Sequence, residues 1–180
     1  MEPILKSGMV AGVIGHGLFA RTTQNAQRKK AQEYHFSDED VLMTHVAPII
    51  NARGTILEMK ASGPRFTNLM AYRPSSFKGY RLFEYPCMSE EKQKQFGDAA
   101  IELSGVRDLN TAKKYDYPLL ISQWFIAHGI PLELNHTHRD ICTEFYFHIM
   151  MAIGLPLPTE CMSPAILGVL ATNGILNEII

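Results

Sequence analysis

The sequence has few cysteines, no excess of charge of either sign and no long apolar run. Its three cysteines, Cys87, Cys142 and Cys161, form an odd and sparse set, which argues against a disulfide scaffold and favours a reducing compartment or a reactive thiol. No apolar run approaches the roughly 20 residues of a membrane-spanning helix. The formal net charge is −1, and the one dense basic run, residues 28–30, is too short for a nucleic-acid-binding surface and fits the solvated face of a helix. These absences predict a soluble protein with no membrane span and no nucleic-acid partner.

The N-terminal region resembles a secretion signal only in part. The apolar stretch from Met9 to Ala20 follows Lys6, but glycines and His16 interrupt it, and Glu2 removes the positive start of a signal peptide. Without a convincing signal, a cytoplasmic location is the expectation. A virion-associated protein, or one delivered by another route, stays open.

What the sequence does contain is the composition of a folded domain. It has 180 residues, of which 46% are hydrophobic and 19% are charged, and it shows no internal repeat or low-complexity tract. This predicts a single domain over residues 1–180. Residues 8–86 are rich in Gly, Pro and β-branched residues and favour strands and turns, whereas helical patterns follow them. Strands early and helices late predict an α+β domain with helices packed on one face of an antiparallel sheet.

The strands of the first half include a predicted hairpin. Met43–Ile50 and Thr55–Met59 are two apolar segments around a polar turn, residues 51–54, that contains a glycine. Phe77–Tyr85 alternates in polarity and ends before Pro86, which predicts a further strand.

The second half contains three predicted helices, at residues 89–104, 119–128 and 142–153. Ser89 is a candidate N-cap for the first of them and is followed by two acidic residues. Asp140 is a candidate N-cap for the third, and Gly154 is expected to end that helix.

Cys142 is the first residue of the third predicted helix. A thiol at this position lies beside backbone N–H groups that have no partner within the helix, at the positive end of the helix dipole, and both favour the thiolate. The same N–H groups could stabilise the oxyanion of a tetrahedral intermediate. Because free cysteines are often buried structural residues, position alone leaves a structural role open.

His45 and Glu58 are the candidate partners of that thiol. His45 lies near the start of one predicted hairpin strand and Glu58 lies in the other, so their side chains can approach each other. Glu58 stands in an apolar segment and needs a partner, because an unpaired buried charge is costly. The pair is either a structural His–Glu contact or a general base held in the correct tautomer by an acid.

These residues, with several short motifs in the same order, resemble the circularly permuted papain-like peptidase families related to NlpC, in particular the YiiX-like group. The segments that carry the resemblance are Gly8-Met9-Val10, Gly15-His16-Gly17-Leu18-Phe19, Thr44-His45-Val46, Gly54 to Glu58, Lys114-Tyr115-Asp116-Tyr117, Cys142-Thr143-Glu144-Phe145 and Met162-Ser163-Pro164. In those families a His-bearing strand and an acidic strand precede the Cys-bearing helix.

The resemblance implies a permuted papain-like fold with the nucleophile at a helix N-terminus. It implies Cys142 as nucleophile, His45 as base and Glu58 as the acid that orients the base. The sequence departs from the family at Met9, where the family has an acidic residue, and it offers no clear side-chain donor for an oxyanion.

Tyr115, Asp116 and His16 are further candidates for substrate binding. Tyr115 and Asp116 could line the cleft, but an Asp in such a motif also caps helices. His16 stands in a glycine-flanked turn that could approach a substrate, but a surface-loop histidine explains it as well.

His136 and His138 with Cys142 have the look of metal ligands. A zinc site usually needs a fourth ligand and a closed geometry. No metal and no other cofactor is therefore expected.

The predicted function is a cysteine hydrolase that cleaves amide bonds through an acyl-enzyme, as a peptidase or amidase, with cell-wall peptide stems among the candidate substrates. A thioesterase, lipid deacylase or acyltransferase on the same fold stays open. The nine methionines and residues 149–151 could line an apolar pocket for an acyl chain, though core packing explains them more simply. A third alternative is a structural or binding module without turnover. The partner is thus a peptide, a peptidoglycan fragment or an acyl substrate.

Overall fold

The computed structural model describes residues 3–60, 63–72, 77–106, 114–115, 139–140, 142–158, 161 and 163–179. Over these residues the protein is α+β, as predicted, with antiparallel sheets and four α-helices. The strands are β1 (Val10–Gly15), β2 (Met43–Pro48), β3 (Thr55–Lys60), β4 (Gly63–Asn68), β5 (Phe77–Glu84), β6 (Lys114–Tyr115), β7 (Arg139–Asp140) and β8 (Asn177–Glu178). The helices are α1 (Gly17–Tyr34), α2 (Glu90–Ser104), α3 (Cys142–Ala152) and α4 (Ile166–Thr172), and 3-10 turns form at Asp40–Leu42 and Leu69–Tyr72.

The main sheet is antiparallel and has the strand order β2-β1-β5-β8. Strands β3 and β4 form a separate antiparallel pair, and β6 pairs with β7 in parallel. Gly12 lies in the middle of β1, where a Cβ atom would overlap the sulfur of Met43. Glycine leaves room there for the Met43 side chain, which a larger residue would displace.

The predicted hairpin of residues 43–59 is correct at its turn and wrong beyond it. Next to the turn, Ile49 and Ile56 form an antiparallel bridge. Past that bridge, β2 pairs with β1 and β3 pairs with β4, so the two strands enter different sheets. The strand that pairs with β3 is β4, which contains Pro64 and Arg65 and shows little apolar alternation. Its sequence therefore gives no signal that β3 pairs with β4 instead of β2.

The expectation that residues 8–86 are mostly strands and turns did not include α1, which spans Gly17–Tyr34. This 18-residue helix lacks the usual start signals, since His16 at its N-cap makes no side-chain cap hydrogen bond and its first turn has no acidic residue. Tertiary contacts hold it instead. The buried Gln27 side chain donates hydrogen bonds to the carbonyl oxygens of Val41 and Met43, at 2.9 and 2.8 Å.

The later helices follow their local signals more closely. Ser89 caps α2, with its side chain accepting the N–H of Lys92. Helix α3 begins at Cys142 and ends at Ala152, two residues before Gly154, which has a φ of 74°. Asp140 belongs to β7 rather than to a helix cap. The predicted helix at residues 119–128 lies outside the described residues.

Within the part of the chain that the structure describes, buried residues form two core clusters, and adjacent residues of β1 belong to different ones. Val10 belongs to the larger cluster and Ala11 to the smaller, so both faces of the strand are covered. The larger cluster takes in the buried apolar residues of α2 and α3, including Phe96 and Phe145. None of the described helices is both long and apolar enough to cross a membrane.

Candidate active site

A β-bulge positions His45 on β2. In the pairing of β1 with β2, Val13 stands opposite His45 and Ile14 stands opposite Met43, so Thr44 is an extra residue in β2. The Thr44 hydroxyl accepts the N–H of Gly15 at 3.0 Å, which holds the bulge closed. Bulges of this kind re-aim the neighbouring side chain. The His45 side chain is 18% exposed, at the end of the strand next to the bulge.

Glu58 lies in the middle of β3 and is completely buried. One of its carboxylate oxygens, Oε1, stands 3.3 Å from Nε2 of His45. The other, Oε2, accepts a hydrogen bond from Nε of Arg65 at 3.3 Å, and Arg65 is the residue directly opposite on β4. The carboxylate therefore lies between two basic groups, which compensates the cost of burying its charge.

Cys142 occupies the first turn of α3, which packs against β2 and β3. This packing brings the nearly buried thiol, 5% exposed, into hydrogen-bonding contact with the His45 ring. The backbone of Val46 and the side chain of Thr143 also interact with the thiol, and the Thr143 hydroxyl oxygen is 4.0 Å from the sulfur.

The pKa values of Cys142 and His45 move in opposite directions. Burial raises the pKa of the Cys142 thiol, but the charge and hydrogen bond of His45, the Val46 backbone and the Thr143 hydroxyl outweigh burial and bring the pKa below its ordinary value. Burial lowers the pKa of His45, but the Cys142 thiolate and hydrogen bonds with Cys142 and Glu58 raise it to about 9. Both shifts favour the thiolate–imidazolium form of the pair over its neutral form.

The structure brings Cys142, His45 and Glu58 together. Within the described residues, it does not show the other predicted site residues in contact with them. His16 is exposed at the start of α1 and is not among the groups that shift the pKa of Cys142 or His45. The Tyr115 backbone pairs with Asp140 in the β6–β7 ladder. Asp116 lies outside the described residues.

The suggested metal site cannot be built from what the structure describes. His136 and His138 lie outside the described residues, and among those that are described no cluster of three or more His, Cys, Asp or Glu side chains is arranged to hold a metal ion.

Arg65, Thr44 and the Val46 backbone are parts of the site that the sequence did not reveal. Arg65 could be found only from the pairing of β3 with β4, and Thr44 only from the register of β1 with β2. Both depend on tertiary pairing, which local sequence patterns do not specify.

The arrangement provides a thiol with a lowered pKa, a histidine that interacts with it, and a carboxylate against Nε2 of that histidine. Comparisons with models of known protein families and with curated protein sequences found no match for the chain. The chemistry of these side chains is therefore the basis for a functional assignment.

Proposed function

We propose that the protein is a cysteine hydrolase that cleaves amide bonds, as a peptidase or amidase, with Cys142 as nucleophile, His45 as acid–base group and Glu58 as the orienting acid. The observation that carries the proposal is the continuous chain of contacts from the Cys142 thiol through the His45 ring to the Glu58 carboxylate. A merely structural cysteine buried to this extent is expected to have a raised pKa, as Cys161 has through its burial.

The first half of the reaction forms an acyl-enzyme. The Cys142 thiolate attacks the carbonyl carbon of the substrate, and the C=O electron pair moves to the oxygen. The backbone N–H groups at the start of α3 are suited to stabilise this oxyanion. The imidazolium of His45 then gives its proton to the amide nitrogen as the C–N bond breaks, which leaves a thioester on Cys142 and releases an amine.

The second half regenerates the enzyme. His45, now neutral, takes a proton from a water molecule as that water attacks the thioester carbon. When the C–S bond breaks, the acid product leaves and the thiolate–imidazolium pair returns. Glu58 contacts Nε2, which leaves Nδ1 as the nitrogen available to the thiol in both halves, and the carboxylate stabilises each imidazolium state.

The order of the elements supports assigning this site to a permuted papain-like fold of the NlpC type. The His-bearing β2 and the acid-bearing β3 come before the Cys-bearing α3 in the chain. The same helix packs against both strands. Cell-wall peptides are the substrate class that this fold assignment suggests.

The test is an activity panel of short peptides, cell-wall fragments and acyl esters, measured alongside thermal melting. Cys142→Ser and His45→Ala should each abolish amide cleavage while the melting temperature changes little. The double variant should be scarcely slower than either single one, because the two groups act as a unit. Cys161→Ser, at a cysteine buried to a similar extent, should retain full activity.

Two other results would change the assignment. Cleavage of acyl esters alone would move the proposal to a thioesterase or deacylase. If the wild-type protein turns over nothing in the panel and the variants melt much earlier, the trio is structural and the protein is a binding module.

A further inference from the structure

The carboxylate of Glu58 contacts two basic side chains, those of His45 and Arg65. Arg65 has no part in the proposed acyl transfer. Arg65 stands directly opposite Glu58 on β4, and its Nε donates to Oε2 at 3.3 Å. The Arg65 side chain is 54% exposed, whereas Glu58 is 0% exposed. The guanidinium thus connects a buried carboxylate to the protein surface.

Charge balance gives Arg65 a specific role. When Cys142 is a thiolate and His45 an imidazolium, an ionised Glu58 would leave this trio with one excess negative charge in a buried environment. Arg65 supplies the compensating positive charge, so thiolate, imidazolium, carboxylate and guanidinium alternate in sign along the chain of contacts. An uncompensated buried charge is resolved by protonation, and a protonated Glu58 no longer stabilises the imidazolium.

The geometry of the Arg65–Glu58 contact also fixes the orientation of the carboxylate. A guanidinium Nε–H is part of a rigid planar group, so its hydrogen bond to Oε2 restricts rotation of the carboxylate. With Oε2 held by Arg65, Oε1 is directed at Nε2 of His45.

We propose that Arg65 is a positioning residue for this site, which keeps the Glu58 carboxylate ionised and turned toward His45. The proposal rests on the proposed function for its effect on turnover. Its effect on the Cys142 thiol can be measured without any substrate.

The charged and titratable groups set against Glu58 come from several elements. His45 is on β2, Arg65 is on β4, and the Cys142 thiol of α3 acts through the His45 ring. Helix α2, which also packs against β3, buries Phe96, Ala100 and Ser104, none of which titrates near neutral pH. The side chains of β6 lie outside the described residues.

The experiment measures the rate of Cys142 alkylation by iodoacetamide from pH 5 to 9 in the wild type, Arg65→Gln and Arg65→Lys. Loss of the positive charge in Arg65→Gln should move the midpoint of the acid limb up by about 0.5–1 pH unit. On that limb, kcat/KM for any substrate found should fall by about 3- to 10-fold. Arg65→Lys keeps the charge, so its midpoint should lie close to that of the wild type.

Arg53→Gln is the matched control. Arg53 is exposed in the turn before β3, and its substitution removes the same charge from a neighbouring surface position. Its alkylation midpoint should equal that of the wild type. An Arg65→Gln midpoint equal to those of the wild type and Arg53→Gln would overturn the positioning role.

The Glu58→Gln background provides a second test, which also covers failure of Arg65→Gln to fold. Without the carboxylate, Arg65 has nothing to position, so Glu58→Gln and the Glu58→Gln, Arg65→Gln double variant should have the same midpoint. An additional shift in the double variant contradicts the proposal. If the midpoints behave as expected and no substrate is cleaved, the hydrolase assignment fails while the role of Arg65 stands.

Discussion

Cys142 and Cys161 are buried to almost the same degree, at 5% and 6% exposure, yet their surroundings differ in kind. Burial raises the pKa of Cys161, and nearby groups do not reverse the effect. At Cys142 the adjacent His45, together with the Val46 backbone and the Thr143 hydroxyl, outweighs burial. A difference in the reactivity of the two thiols at one pH is therefore expected to follow the fraction of each that is ionised.

The first prediction is that iodoacetamide near pH 7 modifies Cys142 much faster than Cys161, by about tenfold or more, because the thiolate is the reactive form. Mass mapping of the folded protein measures both rates, with the exposed Cys87 as an internal reference. In His45→Gln the alkylation of Cys142 should require a higher pH, because the positive charge that lowers the pKa of the thiol is gone. Equal labelling of Cys142 and Cys161 in the wild type contradicts the prediction.

The second prediction concerns the alkaline side of the activity profile. The proposed acyl-transfer step needs the imidazolium as proton donor. We therefore expect kcat/KM to rise as the pH passes the lowered pKa of Cys142 and to fall as it passes about 9, where His45 loses its proton. Glu58→Gln removes an interaction that raises the His45 pKa. The fall should therefore begin at lower pH in that variant, with a partial loss of kcat.

A full pH–rate profile of wild type and Glu58→Gln checks this expectation. Asp40→Asn is the matched control, because Asp40 is a buried carboxylate that is paired with Arg81 instead of His45. This control should leave the alkaline limb where it is. An alkaline limb that stays unchanged in Glu58→Gln shows that Glu58 does not act through His45.

Among single residues, those with chemically informative neighbours were predictable. Cys142 opens an apolar helix, a position that suits a reactive thiol or a buried structural residue. Glu58 is a charge within an apolar strand, so it required a partner on sequence grounds. Arg65 gave no such signal, because an arginine on a polar strand is ordinary. Its importance follows from the β3–β4 register, which places it opposite Glu58.

At the level of elements, helices with strong end signals were predictable, and those held by distant contacts were not. Ser89 and Gly154 mark the start of α2 and the region just past α3. Helix α1 has no side-chain N-cap and no acidic residue in its first turn, and it depends on the Gln27 contacts. The β2–β3 turn was predictable, whereas the separation of the strands into two sheets reflects pairing with β1 and β4.

The third prediction concerns the C-terminal end of α3. The ammonium group of Lys92 donates a hydrogen bond to the carbonyl of Ile153, just beyond α3. A cation at a helix C-terminus satisfies an orphan carbonyl and complements the dipole. Lys92→Met should lower the free energy of unfolding by about 1 kcal/mol.

Chemical denaturation measures this change, and Lys94→Met is the control, because Lys94 lies on the same helix but is exposed. The Cys142 alkylation midpoint should stay the same in both variants, since the lysine acts at the opposite end of α3. If Lys92→Met and Lys94→Met have equal stability, the Lys92 contact contributes nothing measurable.

For the whole molecule, the proposed site depends on distant parts of the chain meeting where α3 packs against β2 and β3. His45, Glu58 and Cys142 come from β2, β3 and α3, and no local pattern specifies how these elements pack. The α+β class was predictable because it follows from the order of strand and helix patterns. The arrangement of the three sheets was not, since register and pairing depend on the complete core.

A second network ties the C-terminal region to the main sheet. Arg81 on β5 forms ion pairs with Glu178 on β8 and with Asp40, each at 2.6 Å. Asp40 is 3% exposed and also accepts the backbone N–H of Ser37 at 2.9 Å. Gly168 of α4 lies against this carboxylate, and a Cβ atom at that position would overlap Oδ1 of Asp40.

The fourth prediction is that Gly168→Ala lowers the free energy of unfolding by about 2–3 kcal/mol, because the added methyl group must displace a carboxylate held by Arg81. Alanine otherwise stabilises a helix by about 1 kcal/mol relative to glycine. In an Asp40→Ala background the clash is absent, so the same substitution should become neutral or stabilising. The sign of its effect is thus expected to depend on Asp40.

Denaturant unfolding of the wild type, both single variants and the double variant measures this coupling. The Cys142 alkylation midpoint provides the contrast, because neither Asp40 nor Gly168 contributes to the Cys142 or His45 pKa. Gly168→Ala should therefore lose stability and keep the thiol chemistry, while Cys142→Ser should do the reverse. A Gly168→Ala cost that is the same with and without the Asp40 side chain would show that α4 relaxes away from the carboxylate without resistance.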